Sequence, residues 1–168
     1  MKINYKILIP GGTGFIGYHL CLFFLKKGWK VHSISKHKPK KSRKIKGVKY
    51  ILCDIRNKKA LNKDLGEHYD YIVNSSGYVD HSRNRSILQT HFLGCKNLIY
   101  KFKNKKPKKF IQIGSSIEYG NQKSPQKENL LKKVNTFSVY GNAKLKTTFF
   151  LLSLFRKERY PISIIRPY

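Results

Sequence analysis

Two hydrophobic periods take turns along this chain. Short runs rich in β-branched and apolar residues, the mark of buried strands, cover residues 6–9, 31–35, 48–53, 71–73, 110–113 and 162–165. Between them apolar residues recur at three- and four-residue steps. Residues 15–27 set Ile16, Leu20, Phe23 and Phe24 on one helical face and stop at Gly28. Residues 87–102 do the same with Leu88, Phe92, Cys95, Ile99 and Phe102, and residues 136–159 read as a long helix. Strand and helix alternating over one domain predict a parallel sheet covered by helices on both faces. Ligands of such sheets sit beyond the carboxyl ends of the strands, where the strand order reverses. The residues just after each strand therefore carry the most information.

Composition narrows this picture without redirecting it. The chain has 168 residues, 40% of them hydrophobic, enough for one domain with its own core. Its 36 Lys+Arg against 8 Asp+Glu give a formal charge of +28, which raises nucleic acid or another polyanion as a partner. However, 29 of those cations are lysines, and the only dense block is residues 36–46, with no zinc-finger spacing and no aromatic-basic pattern. The charge predicts non-specific polyanion binding at most and no specific nucleic-acid partner. Residues 149–155 form the longest apolar run, already broken by Ser153 and far short of the ~20 residues a membrane span needs. Cys21, Cys53 and Cys95 are odd in number and widely spaced, which fits neither a disulfide framework nor a metal cluster. The N-terminal run Ile7-Leu8-Ile9 breaks at once into Pro10-Gly11-Gly12, unlike a signal peptide. The chain reads as one soluble domain of a reducing, cytoplasmic compartment, with no metal.

The first strand runs into Pro10-Gly11-Gly12-Thr13-Gly14-Phe15-Ile16-Gly17, which opens the first helix. Gly11 permits a tight turn, Gly14 a close approach of backbone to a pyrophosphate, and Gly17 close packing of helix on strand. Unpaired N–H groups at the helix start, Phe15 and Ile16 among them, complete an anion site.

These residues resemble the fingerprint of the extended short-chain dehydrogenase/reductase family, NAD(P)-dependent sugar-nucleotide epimerases, dehydratases and reductases. The resemblance runs in register along the chain. Cys53-Asp54-Ile55-Arg56 is similar to the segment after the third strand, whose Asp contacts adenine. Asn74-Ser75-Ser76-Gly77 matches the small-residue turn beside the cofactor. Gly114-Ser115-Ser116-Ile117-Glu118-Tyr119-Gly120 resembles the segment with the catalytic Ser or Thr, Tyr140 to Lys144 the YxxxK motif, and Arg166-Pro167-Tyr168 the nicotinamide-side loop. The implied fold is a Rossmann-type, doubly wound, three-layer α/β/α domain. Family members continue beyond the Arg-Pro-Tyr segment into a smaller lobe that holds the sugar nucleotide, and this sequence reads as lacking that lobe.

The resemblance implies hydride exchange between a nicotinamide and a nucleotide-linked sugar, with Ser115, Tyr140 and Lys144 as a proton relay. Tyr140 and Lys144, four apart on a helix, project from one face. A free tyrosine has a pKa near ~10, and a nearby ammonium plus a nicotinamide charge is expected to lower it. Ser115 stands at the position the family uses, with Ser116 as its neighbour. Dehydratases of the family carry an acid pair where this chain has Ser116 and Ile117, which argues against a 4,6-dehydratase. Glu118 reads as a substrate-loop or surface residue. His91 stands where the family usually has a structural Asn. The segment GSSIEYG, together with Thr147 where many epimerases have an acidic residue, leans toward reductases that make deoxysugars.

The second strand ends in Ser35-Lys36 rather than in the carboxylate that would hold both ribose hydroxyls of NAD, which predicts NADP, with NAD as the alternative. Residues 88–102 and 145–155, the latter with Leu145, Phe149, Phe150, Leu151, Leu152, Leu154 and Phe155, carry more apolar surface than one sheet contact should cover, which predicts a homodimer through these helices. The alternative function is a catalytically idle NAD(P)-binding fragment or module with non-specific polyanion binding.

Overall fold

In the computed structural model, residues 4–66, 68–77, 84–128, 134, 136 and 138–168 are described. Six strands, β1 (Lys6–Pro10), β2 (Lys30–Ser35), β3 (Lys49–Leu52), β4 (Tyr71–Asn74), β5 (Lys109–Ile113) and β6 (Ile162–Ile165), form one sheet in the order β3-β2-β1-β4-β5-β6. Every pairing is parallel. The order reverses between β1 and β4, so the crevice that the alternation predicts opens there.

Both faces of the sheet are covered, which is why the central strands are apolar without alternation. Ile7, Ile9, Val31 and Val73 pack with Cys21 under α1 (Phe15–Lys26). Leu8, Ile34, Ile72 and Phe110 pack on the other face with Cys95, Leu98, Ile99, Leu151 and Tyr160. The cysteines are all free and buried.

The helices differ from the sequence expectation in three places, and one strand is shorter than expected. α2 (Lys58–Asp64) was not expected, since its polar sequence buries only Leu61; Asn57 starts it by accepting from the Ala60 amide. The helix expected over 87–102 is α3 (Asn84–Leu88), a π-helical stretch Gln89–Gly94, and α4 (Cys95–Lys101). A widened π turn leaves apolar spacing almost unchanged, so periodicity does not register it. The long helix, α5 (Val139–Glu158), begins three residues later than expected because the Ser138 hydroxyl caps it, accepting from the Gly141 amide at 2.9 Å. Residues 48 and 53 lie outside β3.

The surplus apolar face is smaller than expected. Cys95, Ile99, Phe102, Leu145, Leu151 and Leu154 are buried within the chain; Leu88, Phe149 and Phe155 remain exposed. One sheet face absorbs most of both helices.

A buried histidine makes the fold acid-sensitive. His32 on β2 is 8% exposed, and its Nδ1 lies 2.9 Å from the Tyr69 hydroxyl. Burial, helped by the charges of Lys6 and Lys49, pushes its pKa down to about 4 from 6.5. The unfolded chain takes up this proton below pH 6.5 and the folded chain only near 4, so stability drains away across that window. The loss expected from His32 is about 3 kcal/mol. Urea unfolding at pH 7 and pH 4.5 checks it: His32→Gln should show a flatter pH dependence than the parent chain, and an equal slope would refute the assignment.

Candidate functional site

The glycine turn is built by contact. Gly11 has φ +83°, and a Cβ there would lie 2.7 Å from the Ser76 backbone; one at Gly17 would lie 2.2 Å from the Gly11 carbonyl oxygen. The turn is held by the Gly11 amide donating to the Ile34 carbonyl at 2.8 Å, and by the Ser75 amide and hydroxyl donating to the Pro10 carbonyl at 3.0 and 2.9 Å. Gly14 starts α1 with no side-chain cap, and the first turn of α1 has no acidic residue. The amides there are left for an anion, as a pyrophosphate requires.

One open cleft gathers Gly11, Gly14, Ser35, Lys36, Asp54, Ile55, Ser75, Ser76 and Gly77. Of the other expected cofactor residues, Phe15 and Ile16 are exposed at the helix start and Gly17 is buried behind it. Tyr140, Lys144 and Pro167 lie beyond the cleft lining, on the β5 side of the switch point. The lining also holds Thr13, Cys53 and Arg56, quoted in the motifs without a cofactor role, and Ile34, His37 and Thr90, which the sequence reading gave no part. Among these Arg56 matters most. It donates to both Asp54 oxygens, with Nη2 2.6 Å from Oδ2, and holds that carboxyl below its usual range. The Asn97 amide group fixes the same loop by donating to the Ile55 and Arg56 carbonyls at 3.0 Å each. The two residues between Cys53 and Arg56 in the motif were the available clue.

Ser35 departs from its expected part. Its hydroxyl donates to the Ile34 carbonyl at 2.8 Å and accepts from Thr13 at 3.0 Å, so its single hydrogen is already used. Lys36 stands exposed at the cleft edge.

At the end of β5, Ser115 caps a short 3-10 turn (Ser116–Tyr119). Its hydroxyl stands near enough to the Tyr140 phenol, on the first turn of α5, to favour the phenolate. One turn later Lys144, 6% exposed, donates from Nζ to the Ile113 carbonyl at 2.8 Å and lies 5.5 Å from the Tyr140 ring centre. The structure thus brings Ser115, Tyr140 and Lys144 together. Burial pushes Lys144 down to about 8. It pushes Tyr140 up, against the Ser115 hydrogen bond and with the Glu118 charge adding to the rise. The lowered phenol expected from sequence is therefore not a property of the protein by itself: desolvation and the Glu118 charge outweigh the lowering by Ser115.

Three neighbours also correct the sequence reading. Glu118 is no surface or loop-tip residue; it is wholly buried and paired with Arg166 at 2.9 Å. Thr147 is 1% exposed and faces the interior, donating to the Ala143 and His91 carbonyls, so it does not report on substrate. His91, 3% exposed, packs edge-on against Tyr140 at 5.1 Å from inside the π-helical stretch. A Cβ on Gly77 would meet its ring at 2.2 Å. Cys53 and Cys95 are buried, as expected of small apolar side chains. Among the described residues, no His/Cys/Asp/Glu cluster could hold a metal ion, and no helix is long and apolar enough to cross a membrane.

Comparison with known proteins agrees with this geometry. The chain is 28% identical to a dTDP-D-glucose 4,6-dehydratase of Dictyostelium discoideum over 185 aligned positions, covering 96% of this chain and 43% of that one. Among solved structures it is similar to the ADP-L-glycero-D-manno-heptose-6-epimerase of Helicobacter pylori, at 26% identity and a TM-score of 0.85, over 98% of this chain and 55% of that one. It is also similar to the UDP-glucuronic acid 4-epimerase of Bacillus cereus, solved in complex with NAD, at 25% identity and a TM-score of 0.79, over 96% and 55% of the two chains. The chain spans about half the length of these relatives. The sequence model of one family, described as the NAD dependent epimerase/dehydratase family, matches residues 7–168. With the glycine cradle at the switch point and that match over nearly every residue, the chain belongs to the NAD dependent epimerase/dehydratase family.

Proposed function

We propose that this chain is a single nicotinamide-binding domain, the cofactor half of an enzyme that oxidises and reduces or epimerises a nucleotide-linked sugar. One observation carries the reading: the Ser115 hydroxyl, the Tyr140 phenol and the Lys144 ammonium converge at the end of β5, beside the switch-point cleft. Gly11, Gly14 and the start of α1 would hold the pyrophosphate, Asp54 and Ile55 the adenine side, and Ser75 to Gly77 with Pro167 the inner end. When bound, the nicotinamide supplies hydride exchange at a sugar carbon and a positive charge. Tyr140 Oη takes the proton of a substrate hydroxyl or returns it to a carbonyl, and Ser115 Oγ holds the same oxygen. Lys144 Nζ, fixed by the Ile113 carbonyl, favours the phenolate once the site is filled. Ser116 and Ile117 supply no acid pair, so we assign reduction or epimerisation rather than the dehydration named for the Dictyostelium relative.

Turnover with a panel of 4-keto sugar nucleotides tests this, with Tyr140→Phe expected to lower the rate at least ~100-fold. Cofactor binding without any turnover would support the other reading, an idle nicotinamide-binding module, which the raised Tyr140 pKa favours.

For the cofactor we propose NADP over NAD. Lys36 lines the cleft and, among the described residues, no free carboxylate does, since Asp54 is held by Arg56. With the Ser35 hydrogen already donated, Lys36 has to carry the discrimination. NADPH is expected to bind about 10-fold tighter than NADH at low salt, the ratio shrinking as salt rises. Equal affinities in a fluorescence titration would overturn this choice.

We also propose a cytoplasmic homodimer through the exposed remainder of α3 to α5, at Leu88, Phe149 and Phe155. Repulsion between two chains of +28 predicts that it tightens with added salt. A monomer at every salt concentration in sedimentation would rule it out.

A further inference from the structure

Glu118 is completely buried, and each of its contacts reaches a different element. Oε1 accepts from the Ser115 amide at 2.9 Å. Oε2 accepts from the Thr148 hydroxyl on α5 at 2.6 Å and from Arg166 Nε, just past β6, at 2.9 Å. Three donors on one carboxylate leave it no use as a base, and Arg166, 8% exposed, neutralises it. Arg166 in turn donates to the Tyr119 hydroxyl at 3.3 Å. The space for this arrangement is reserved by Gly114, where a Cβ would lie 2.5 Å from Glu118 Oε1. Beyond the strand ends the Gly114 amide donates to the Ile165 carbonyl at 2.7 Å and the Ser116 amide to the Pro167 carbonyl at 3.1 Å, so the segment after β6 is drawn against the Ser115 turn.

Thr148 lies one helical turn beyond Lys144, and Lys144 one turn beyond Tyr140. Two of the three arms therefore end at the proposed relay: at the Ser115 amide itself, and at Thr148, one turn from Lys144. We propose that Glu118 is a positioning residue: it locks the Ser115 turn, the Tyr140–Lys144 helix and the Arg166 segment into one unit, and so fixes the direction of the Ser115 hydroxyl and the charge around Lys144. The inference rests on the relay reading of Ser115, Tyr140 and Lys144. Its electrostatic side has support from the Lys144 ammonium, which the Glu118 charge favours against burial.

Glu118→Gln alone would strand the Arg166 guanidinium in the interior, so two gentler variants of the full chain carry the test. Thr148→Val cuts only the α5 arm with little change of shape, and Glu118→Gln with Arg166→Gln removes both charges together. The 13C resonance of Lys144, assigned by its loss in Lys144→Met, reports its titration, and the Ser115 amide resonance reports the turn. In the double variant the Lys144 midpoint is expected to fall by about half a pH unit and the Ser115 amide proton to move upfield. In Thr148→Val the Ser115 amide is expected to shift with the Lys144 midpoint nearly unchanged. NADPH affinity, read at the far end of the cleft, should stay within about twofold in both. Turnover should fall at least ~10-fold in the double variant with KM for the sugar nucleotide unchanged.

If the Ser115 amide and the Lys144 midpoint stay in place in both folded variants, the proposal is overturned. Should the double variant not fold, an unmoved Ser115 amide in Thr148→Val overturns it alone. Failure of the relay reading looks different: Ser115→Ala and Tyr140→Phe would then leave turnover intact, while the resonance shifts still appear.

Discussion

Replacing Lys144 by methionine is expected to stabilise the chain at pH 7 by about 2 kcal/mol while removing its turnover. The ammonium is 6% exposed, and burial holds its pKa at about 8 against 10.5. Unfolded, the side chain keeps its proton up to pH 10.5; folded, only to about 8. The cost of burying the charge is therefore fully present below pH 8 and relieved as pH climbs from 8 to 10.5. A shift of that size corresponds to about 3 kcal/mol, from which the lost bond to the Ile113 carbonyl takes back about 1. For a chain of this length the net gain raises the thermal midpoint by roughly 4–8 °C. Calorimetry at pH 7 checks the sign, and a scan from pH 8 to 10.5 checks the origin, because parent and variant should converge there. A lower midpoint for Lys144→Met at pH 7 would show that the Ile113 bond outweighs desolvation.

Gly11→Ala is expected to be far more damaging than the same methyl at Gly28. Its φ of +83° already disfavours a side chain, and the new Cβ would press to 2.7 Å on backbone atoms of Ser76, which cannot swing aside. Gly28 separates the two effects. It has φ +78° with nothing within 4 Å, so Gly28→Ala measures the dihedral strain alone, about 1 kcal/mol. Gly11→Ala should cost at least about 3 kcal/mol and weaken nicotinamide-cofactor binding about 100-fold, because the Ser75–Gly77 turn must retreat. Urea melts of the two variants decide the matter. Costs within about 1 kcal/mol of each other would mean the turn yields freely and is no rigid cradle.

The parts of this molecule that sequence made legible are those governed by local rules. Apolar runs located all six strands, since strands buried on both faces carry continuous apolar residues. The glycine turn was readable because its φ angle and its backbone contacts each demand a missing side chain. Ser115, Tyr140 and Lys144 were found through motif order, and the structure does bring them together. What escaped was settled by contact across the sheet. Glu118 looked like a surface residue because its main partner, Arg166, is 48 positions away. Ser35 looked like a free donor because Thr13, 22 positions away, meets it only once β1 and β2 are paired, leaving its hydrogen on the adjacent Ile34 carbonyl. The lowered phenol was a pairwise argument, ammonium beside tyrosine, that left out desolvation.

The buried cysteines give the chain an internal clock. Burial pushes the Cys21 and Cys95 thiols up to about 12 and Cys53 to about 11. Only the thiolate reacts with alkylating reagents, and at pH 8 a thiol of pKa 12 is ionised in about one molecule in 10,000. The folded protein should therefore pass through iodoacetamide nearly untouched, and each opening event should irreversibly label the cysteines of the face it uncovers. Label count by mass against time then reads how often each face of the sheet opens, with Cys21 reporting the α1 side and Cys95 the α4 side.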